Sequence, residues 1–285
     1  MIYIVIPVFN RLHFTIKCLN SLVKQSYQRF TIIVVNDGST DGTTQYLQTH
    51  FSDVVVCEGD GNLWWTGATN LGVRTALQLS QSDNDFVVTL NNDLEVKEDY
   101  LQCLLDAAEK NPCSLIGSVS VHIDNPGKVH FAGTKWNAGT AKYRPAISKD
   151  MSYQVLADSF DTVVTDLLPG RGVLIPITLF SKIGLYDFTA FPHYMADEDF
   201  SLRAKKINYH LLIATRAVVY NHVNETGMKK QARGWKYYKD VFTSIKSPVN
   251  FHNRWNWAKR HAGIFPPFYF LFDMTRILKG LLFRS

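Results

Sequence analysis

Four cysteines in 285 residues, with no CxxC spacing among Cys18, Cys57, Cys103 and Cys113, leave nothing from which to build a disulfide framework or a thiolate metal site. Reduced thiols in a cytosolic protein are the expectation. No run reaches the roughly 20 mostly apolar residues that a membrane-spanning helix needs. The most apolar stretch, 264–283, is broken by Pro266, Pro267, Asp273, Arg276 and Lys279. The opening MIYIVIPVFNR has neither a basic leader nor a long apolar region, so it reads as a first strand and not as a signal peptide. Asn224-Glu225-Thr226 matches a glycosylation sequon, with no other sign of a secretory route. Internal repeats and low-complexity tracts are also missing. So is the dinucleotide fingerprint: counting from Gly59 and Gly61, its third glycine would fall on Trp64.

What is present is a folding composition, 46% hydrophobic and 19% charged, at a length suited to one large domain or one domain with an appendage. The net charge of +5 hides an asymmetry. Residues 227–285 carry twelve Lys/Arg and two Asp, a surplus of +10, so the preceding 226 residues stand at −5. A basic tail on a mildly acidic body suits an anionic lipid surface; the acidic body argues against nucleic acid.

Short β-branched runs alternate with helical patterns through the first half. Strands are expected at 2–6, 30–35, 54–57 and 86–90. The first helix should present Leu12, Ile16, Leu19 and Val23 on one face, capped by Asn10, and others should end near His50, Ser80 and Lys110. Continuous apolar strands alternating with helices imply an α/β fold with a mostly parallel, Rossmann-like sheet covered on both faces. In such sheets ligands sit at the carboxyl ends of the strands. From 115 to 175 the pattern is irregular, with short possible strands. Beyond about Glu225 it turns basic and aromatic, giving an expected division into 1–225 and a helical extension, 226–285.

The strand ends carry the chemistry. VVTL runs straight into Asn91, Asn92 and Asp93. A buried strand ending in two amides and a carboxylate suits an oxygen-loving cation such as Mg²⁺ or Mn²⁺; a helix-capping role for Asp93 is the plainer alternative. Asp37 follows the second strand, in NDGSTDGT, where an Asx-turn is equally natural. In GDGNLWWTGATNLG, Gly61, with Asn62 beside it, and Gly67 permit close backbone approach to a ligand, and Asn70 can bond it from the first helical turn. Trp64 and Trp65 either pack inward or stack on a base or sugar. YMADEDFSLR puts three carboxylates, Asp197, Glu198 and Asp199, at a helix start, where acids also complement the dipole.

PVFNR, VVNDGSTDGT, GDGNLWWTGATNLGV, LNNDLEV and DEDFSLR, in that order over residues 1–225, resemble family 2 glycosyltransferases with the GT-A fold. The likeness is greatest to bacterial, rhamnosyltransferase-like enzymes of surface polysaccharide synthesis. It implies an inverting transfer from a UDP- or dTDP-linked sugar to a glycan or lipid-linked acceptor. Asp93 would then ligate the metal, with His222 as a second ligand or a diphosphate contact, and Asn92 beside it. Pro7, Asn10, Arg11 and Asp37 would line the nucleotide pocket. Counting back from Arg203 makes Asp197 the general base, in preference to Asp199, the second acid. The chain departs from the pattern twice: Asn91 stands where the first acid of Asp-x-Asp is usual, and Ala196 where Glu is usual. Two rivals remain: a catalytically degenerate nucleotide-sugar-binding scaffold, and a sugar nucleotidyltransferase, although PVFNR is not the Gly-rich basic loop of the latter.

The tail admits two accounts. Trp255, Trp257, Phe268, Tyr269 and Phe270 interleave with Lys and Arg as in a segment that lies in a membrane interface. That would place the protein in the cytoplasm, peripheral at the inner face of the cell membrane, with a body that binds nucleotide without its tail. The other account is a helical appendage packed on the body.

Overall fold

The computed structural model describes residues 1–148, 150–222 and 234–283. The sequon, the expected boundary at 225/226 and part of the basic tail lie outside them.

The strands β1 (Ile2–Val8), β2 (Phe30–Asn36), β3 (Val55–Glu58) and β4 (Phe86–Thr89) alternate with the helices α1 (Leu12–Leu22), α2 (Thr43–His50) and α3 (Trp64–Leu79). They run parallel in the order β3-β2-β1-β4, as crossover helices require. Residues of β1 divide between two apolar layers by simple alternation. Tyr3 and Val5 join Ala68, Val73 and Ala76 of α3 on one side. Ile2, Ile4 and Ile6 join Cys18, Leu19 and Leu22 of α1 on the other. The buried face of α1 is Phe14, Thr15, Cys18, Leu19 and Leu22. Val23, expected inside, is exposed. Asn10 does not cap the helix either; the Leu12 N–H goes to Asp41 Oδ2 at 2.7 Å, from the loop after β2.

The second half adds β5 (Leu94–Val96), α4 (Tyr100–Lys110), β6 (Ser114–His122), β7 (Asn125–Phe131), β8 (Thr134–Asn137), β9 (Lys142–Pro145), α5 (Tyr153–Ser159), β10 (Thr162–Val164), β11 (Val173–Pro176), α6 (Thr178–Ile183), α7 (Ala196–Lys206) and β12 (His210–Asn221). The sheet continues from β4 as β11-β6-β12-β10. β11 is antiparallel to both neighbours, whereas β12 is parallel to β6. A helix-flanked, mostly parallel sheet is therefore the frame. Strand β6 lies within the stretch that read as irregular. Its serines are the reason: Ser118 donates to Gly172 O and meets the Tyr100 hydroxyl, and Ser120 takes the Asn221 amide. Polar side chains with partners are buried there as easily as apolar ones.

The C-terminal helices α8 (Trp235–Thr243), α9 (Phe251–His261) and α10 (Pro266–Phe283) return to this frame. Trp257 and Tyr269 are both 0% exposed and belong to the main core. The Trp136 and Trp257 indoles both donate to the Tyr269 hydroxyl, at 3.0 and 3.1 Å. These two rings are unavailable to a lipid surface, and without them the core has a hole. The expectation that the body would stand without its tail is corrected accordingly. The outward side of α10 is different: Phe265, Phe268, Leu271, Phe272 and Leu278 are exposed, Phe268 at 59%. Among the described residues no helix is long and apolar enough to cross a membrane.

Candidate active site

The strand order reverses at β1: β2 follows on one side, and β4 lies on the other. A crevice opens there at the carboxyl ends. β1 pairs with β2 as far as Val8↔Asn36, but with β4 only as far as Val5↔Thr89. Pro7, which has no N–H to donate, lies in the part of β1 that β4 no longer accompanies.

On the β2 and β3 side, Asp37 organises the rim. Its Oδ1 accepts the Gly61 N–H at 2.8 Å, and its Oδ2 accepts those of Leu63 and Trp64 at 3.0 and 3.1 Å. These are donors that the start of α3 leaves free, so Asp37 caps that helix from a distance. Glycine is required here: Gly61 has φ +87°, and a Cβ on Gly59 would fall 2.5 Å from Asp37 Oδ1. Asp37 is 4% exposed with both oxygens engaged, so it acts on the loop that carries the exposed Gly61 and Asn62. Asn10 braces the same rim by accepting the Thr40 N–H at 2.9 Å while its own N–H goes to Ser39.

Gly67 and Asn70 do not face the crevice. A Cβ on Gly67 would lie 3.2 Å from Phe188, and the Asn70 amide is spent on the backbone of Tyr186, donating at 2.8 Å and accepting at 3.0 Å. They dock α3 on the 184–192 segment. The two tryptophans part company. The Trp65 indole turns inward and donates to Asn91 Oδ1 at 3.1 Å, while Trp64 lies under Lys246.

At the tip of β4, Asp93 Oδ2 stands 3.8 Å from Arg11 Nη1, and Asn92 is tied to Thr15 of α1 at 3.0 Å. His222 is close by for a topological reason. β12 pairs antiparallel with β5 at Asn221↔Leu94, so one step further sets His222 opposite Asp93. Its Nε2 meets Glu95 Oε1 at 2.7 Å and its ring packs on Phe14. Glu95 therefore already holds the nitrogen expected to ligate a metal. Among the described residues no cluster of three or more His, Cys, Asp or Glu side chains is arranged to hold a metal.

Helix α7 brings its acids to the same edge in three different states. Asp197 accepts the Gly170 N–H at 2.6 Å and its neighbour's N–H at 2.9 Å. Burial pushes its carboxyl above the usual carboxylate range, against those amides. Burial and the adjacent Asp197 charge push Glu198 up to about 7. Asp199 is wholly buried and surrounded by donors: Arg203 Nε at 2.9 Å, Arg260 Nη1 at 2.9 Å and His261 Nε2 at 2.8 Å. Burial alone would raise its pKa, but His261 and the two arginines outweigh that and hold it at about 2. A carboxylate so enclosed cannot receive a proton from a substrate. The catalytic expectation for Asp199 is corrected: it is the joint that fastens α9 to α7. Ala196, where an acid was usual, is buried in the core.

Sequence reading missed Arg171. The loop Leu168–Gly172 is clamped between Asp197, through Gly170 N, and Trp65, whose ring would lie 2.2 Å from a Cβ at Gly170. The Gly172 N–H is tied to Thr89 O at 2.8 Å. The clamp leaves the Arg171 side chain on the carboxyl edge of the sheet, over Phe131. The only available signal was its setting, PGRG ahead of an apolar run.

The family model for Glycosyl transferase family 2 matches residues 3–160. The chain is 26% identical over 246 residues to a poly-beta-1,6-N-acetyl-D-glucosamine synthase of Staphylococcus epidermidis, covering 80% of this chain and 53% of that protein. It spans about half or less of the length of the curated relatives it matches. In fold it is similar to GalNAc-T7, solved with UDP, GalNAc and Mn²⁺, at a TM-score of 0.64 and 14% identity, over 99% of this chain and 57% of that one. S. aureus TarS residues 1–349 gives a TM-score of 0.56 at 14% identity, over 100% and 75%.

Proposed function

We propose that this chain, which belongs to glycosyl transferase family 2, moves a sugar from a UDP- or dTDP-linked donor to a hydroxyl of a glycan or lipid-linked glycan, with inversion, in the building of a bacterial surface polysaccharide. One observation carries the reading: Asp197, a carboxylate raised by burial and pinned by the Gly170 amide, lies on the same carboxyl edge as the Arg11–Asp93 pair. The donor would enter over Gly61 and Asn62, with Asp37 and Asn10 holding that rim. Arg11 supplies positive charge where the diphosphate charge grows. Asp197 takes the acceptor's proton as the anomeric carbon gains oxocarbenium character. The relative named as a poly-N-acetylglucosamine synthase supports polysaccharide synthesis as the setting.

The donor set suits a sparsely held Mg²⁺ or Mn²⁺. Such ions take one or two protein carboxylates and complete their shell with phosphate and water oxygens. Asp93 is the carboxylate placed to do so, with the neutral Asn91 amide lowering the local negative charge. When bound, the cation would neutralise the leaving diphosphate as a Lewis acid. Nucleotide titrations with and without Mn²⁺ test this: Asp93→Ala should remove the metal-dependent part of the affinity. Unchanged Mn²⁺ dependence would show that Asp93 is not the ligand. Binding without any turnover, across a panel of nucleotide sugars, would favour the scaffold reading that Asn91 and Ala196 allow.

A lipid-linked acceptor would lie at the inner face of the membrane, and the exposed side of α10 suits peripheral attachment. Its apolar rings are accompanied by Lys279, while Arg276 is engaged by Asp273 and the Tyr143 ring; a cation near an anionic surface is worth about 1 kcal/mol. Because Trp257 and Tyr269 are core residues, the informative variant changes only the outer face. Phe265→Ser with Phe268→Ser and Phe272→Ser should abolish co-sedimentation with anionic vesicles while the melting temperature holds. Equal sedimentation of parent and variant, or none by the parent, removes the membrane from the proposal.

A further inference from the structure

We infer that Arg171, together with His122 and His130, forms a subsite for an anionic group, a phosphate or a carboxylate, carried by the acceptor. The inference rests on the proposed glycosyl transfer, because Asp197 as base defines the acceptor side.

Arg171 is half-buried, a costly place for a guanidinium without a carboxylate. Its one named side-chain contact is the Phe131 ring, 6.0 Å from the guanidinium carbon. Among the described residues no carboxylate lies within ion-pair distance of it. Asp197 and Glu198 feel its charge, yet Asp197 is spent on two amides and burial drives Glu198 towards its neutral form. The residue before Phe131 is His130, which meets His122 across the β6–β7 hairpin, edge to face at 4.7 Å. Burial, the Arg171 charge and His122 together hold His130 below its usual range. Arg171 thus rests on the ring next to one of two paired imidazoles, with no ion-pair partner among the described residues.

Position favours the acceptor over the donor. Arg171 directly follows Gly170, whose N–H Asp197 accepts, so the arginine stands beside the base, where the acceptor hydroxyl would lie. The clamps on Gly170 and Gly172 fix the arginine before a ligand arrives.

The probe is inorganic phosphate, titrated calorimetrically into the full chain with and without saturating UDP or dTDP. Phosphate should bind with the nucleotide in place. Arg171→Gln should weaken it about tenfold or more, the scale of a lost charge-assisted hydrogen bond. Arg171→Lys should keep part of it, and nucleotide affinity should not change in either variant. Competition between phosphate and nucleotide, or a parallel loss of nucleotide affinity in Arg171→Gln, would assign the arginine to the donor diphosphate and overturn the inference. So would the absence of phosphate binding by the parent protein. Should Arg171→Gln misfold, His130→Asn, outside the clamped loop, should still weaken phosphate; an unchanged affinity there overturns the subsite. Asp197→Asn separates the two readings: it should leave phosphate binding in place, even if its turnover shows that the base has been misassigned.

Discussion

Asp197→Asn should lower kcat by about 10² or more, the scale expected of a positioned general base, while nucleotide affinity stays near its parent value. The substitution is close to isosteric: the amide oxygen can still accept from Gly170 N, so the loop clamp survives and the fold should be intact by circular dichroism. What is lost is the site that takes the acceptor's proton. The pH profile offers a second readout. Burial raises Asp197, and the base works only when ionised, so kcat/KM should fall as pH drops through a value above the ordinary carboxylate range of about 4. That limb belongs to the Asp197–Glu198 pair, since the two charges share one burial site. It should vanish in Asp197→Asn. An unaltered profile, or a product of retained configuration, would rule out the single-base account.

Asp199→Ala should destabilise the protein by about 3–5 kcal/mol, the usual cost of removing one partner from a buried ionic network. Arg203 and His261 would lose their carboxylate, and Arg260 would keep only Asp187. Urea unfolding followed by tryptophan fluorescence measures this directly, because Trp257 sits in the helix that Asp199 holds. The pH dependence has a defined sign. Asp199 is held at about 2 in the folded state and takes its ordinary value near 4 when unfolded. Its contribution is therefore complete above about pH 4 and is lost as pH falls towards 2. His261 acts in a higher window. Burial lowers its pKa, so it stays neutral in the fold, donating Nε2–H to Asp199 with Nδ1 unpartnered. The unfolded chain takes up that proton first, so stability should begin to decline below about pH 6.5. A cost under about 1 kcal/mol for Asp199→Ala would mean that α9 is held by packing alone.

How much of this was legible in the chain depended on the range of the contacts. The first four strands and the acids at their ends could be read because each signal is local: an apolar run, then a polar tip. Asp93 follows β4 at its carboxyl end, and Asp197 stands in the first turn of α7; the roles of both belong to the proposal. Asn70 and Gly67 were misread because their partners, Tyr186 and Phe188, lie more than a hundred residues away. The same holds for Asp199, whose two acidic neighbours by sequence say nothing of a joint closed by Arg260 and His261. β6 escaped notice because its serines interrupt the apolar run, although Ser118 and Ser120 find partners across the sheet. Arg171 was silent for the opposite reason. Its meaning comes from the side-chain partners it lacks, and no pattern of residues encodes that.

The joint between α7 and α9 also sets an order of events during synthesis. Domains form as the chain emerges, N-terminal parts first. The rim of Asn10, Asp37 and Gly61 is closed by contacts within residues 8 to 64. The helix that carries Asp197 cannot be finished by such contacts, because its fastening comes from residues 260 and 261 and the plug beneath them from Tyr269, bonded to Trp136 across 133 positions. Such distant pairings form slowly. The chain therefore reaches a complete core, and with it a finished α7, only as the last helices close.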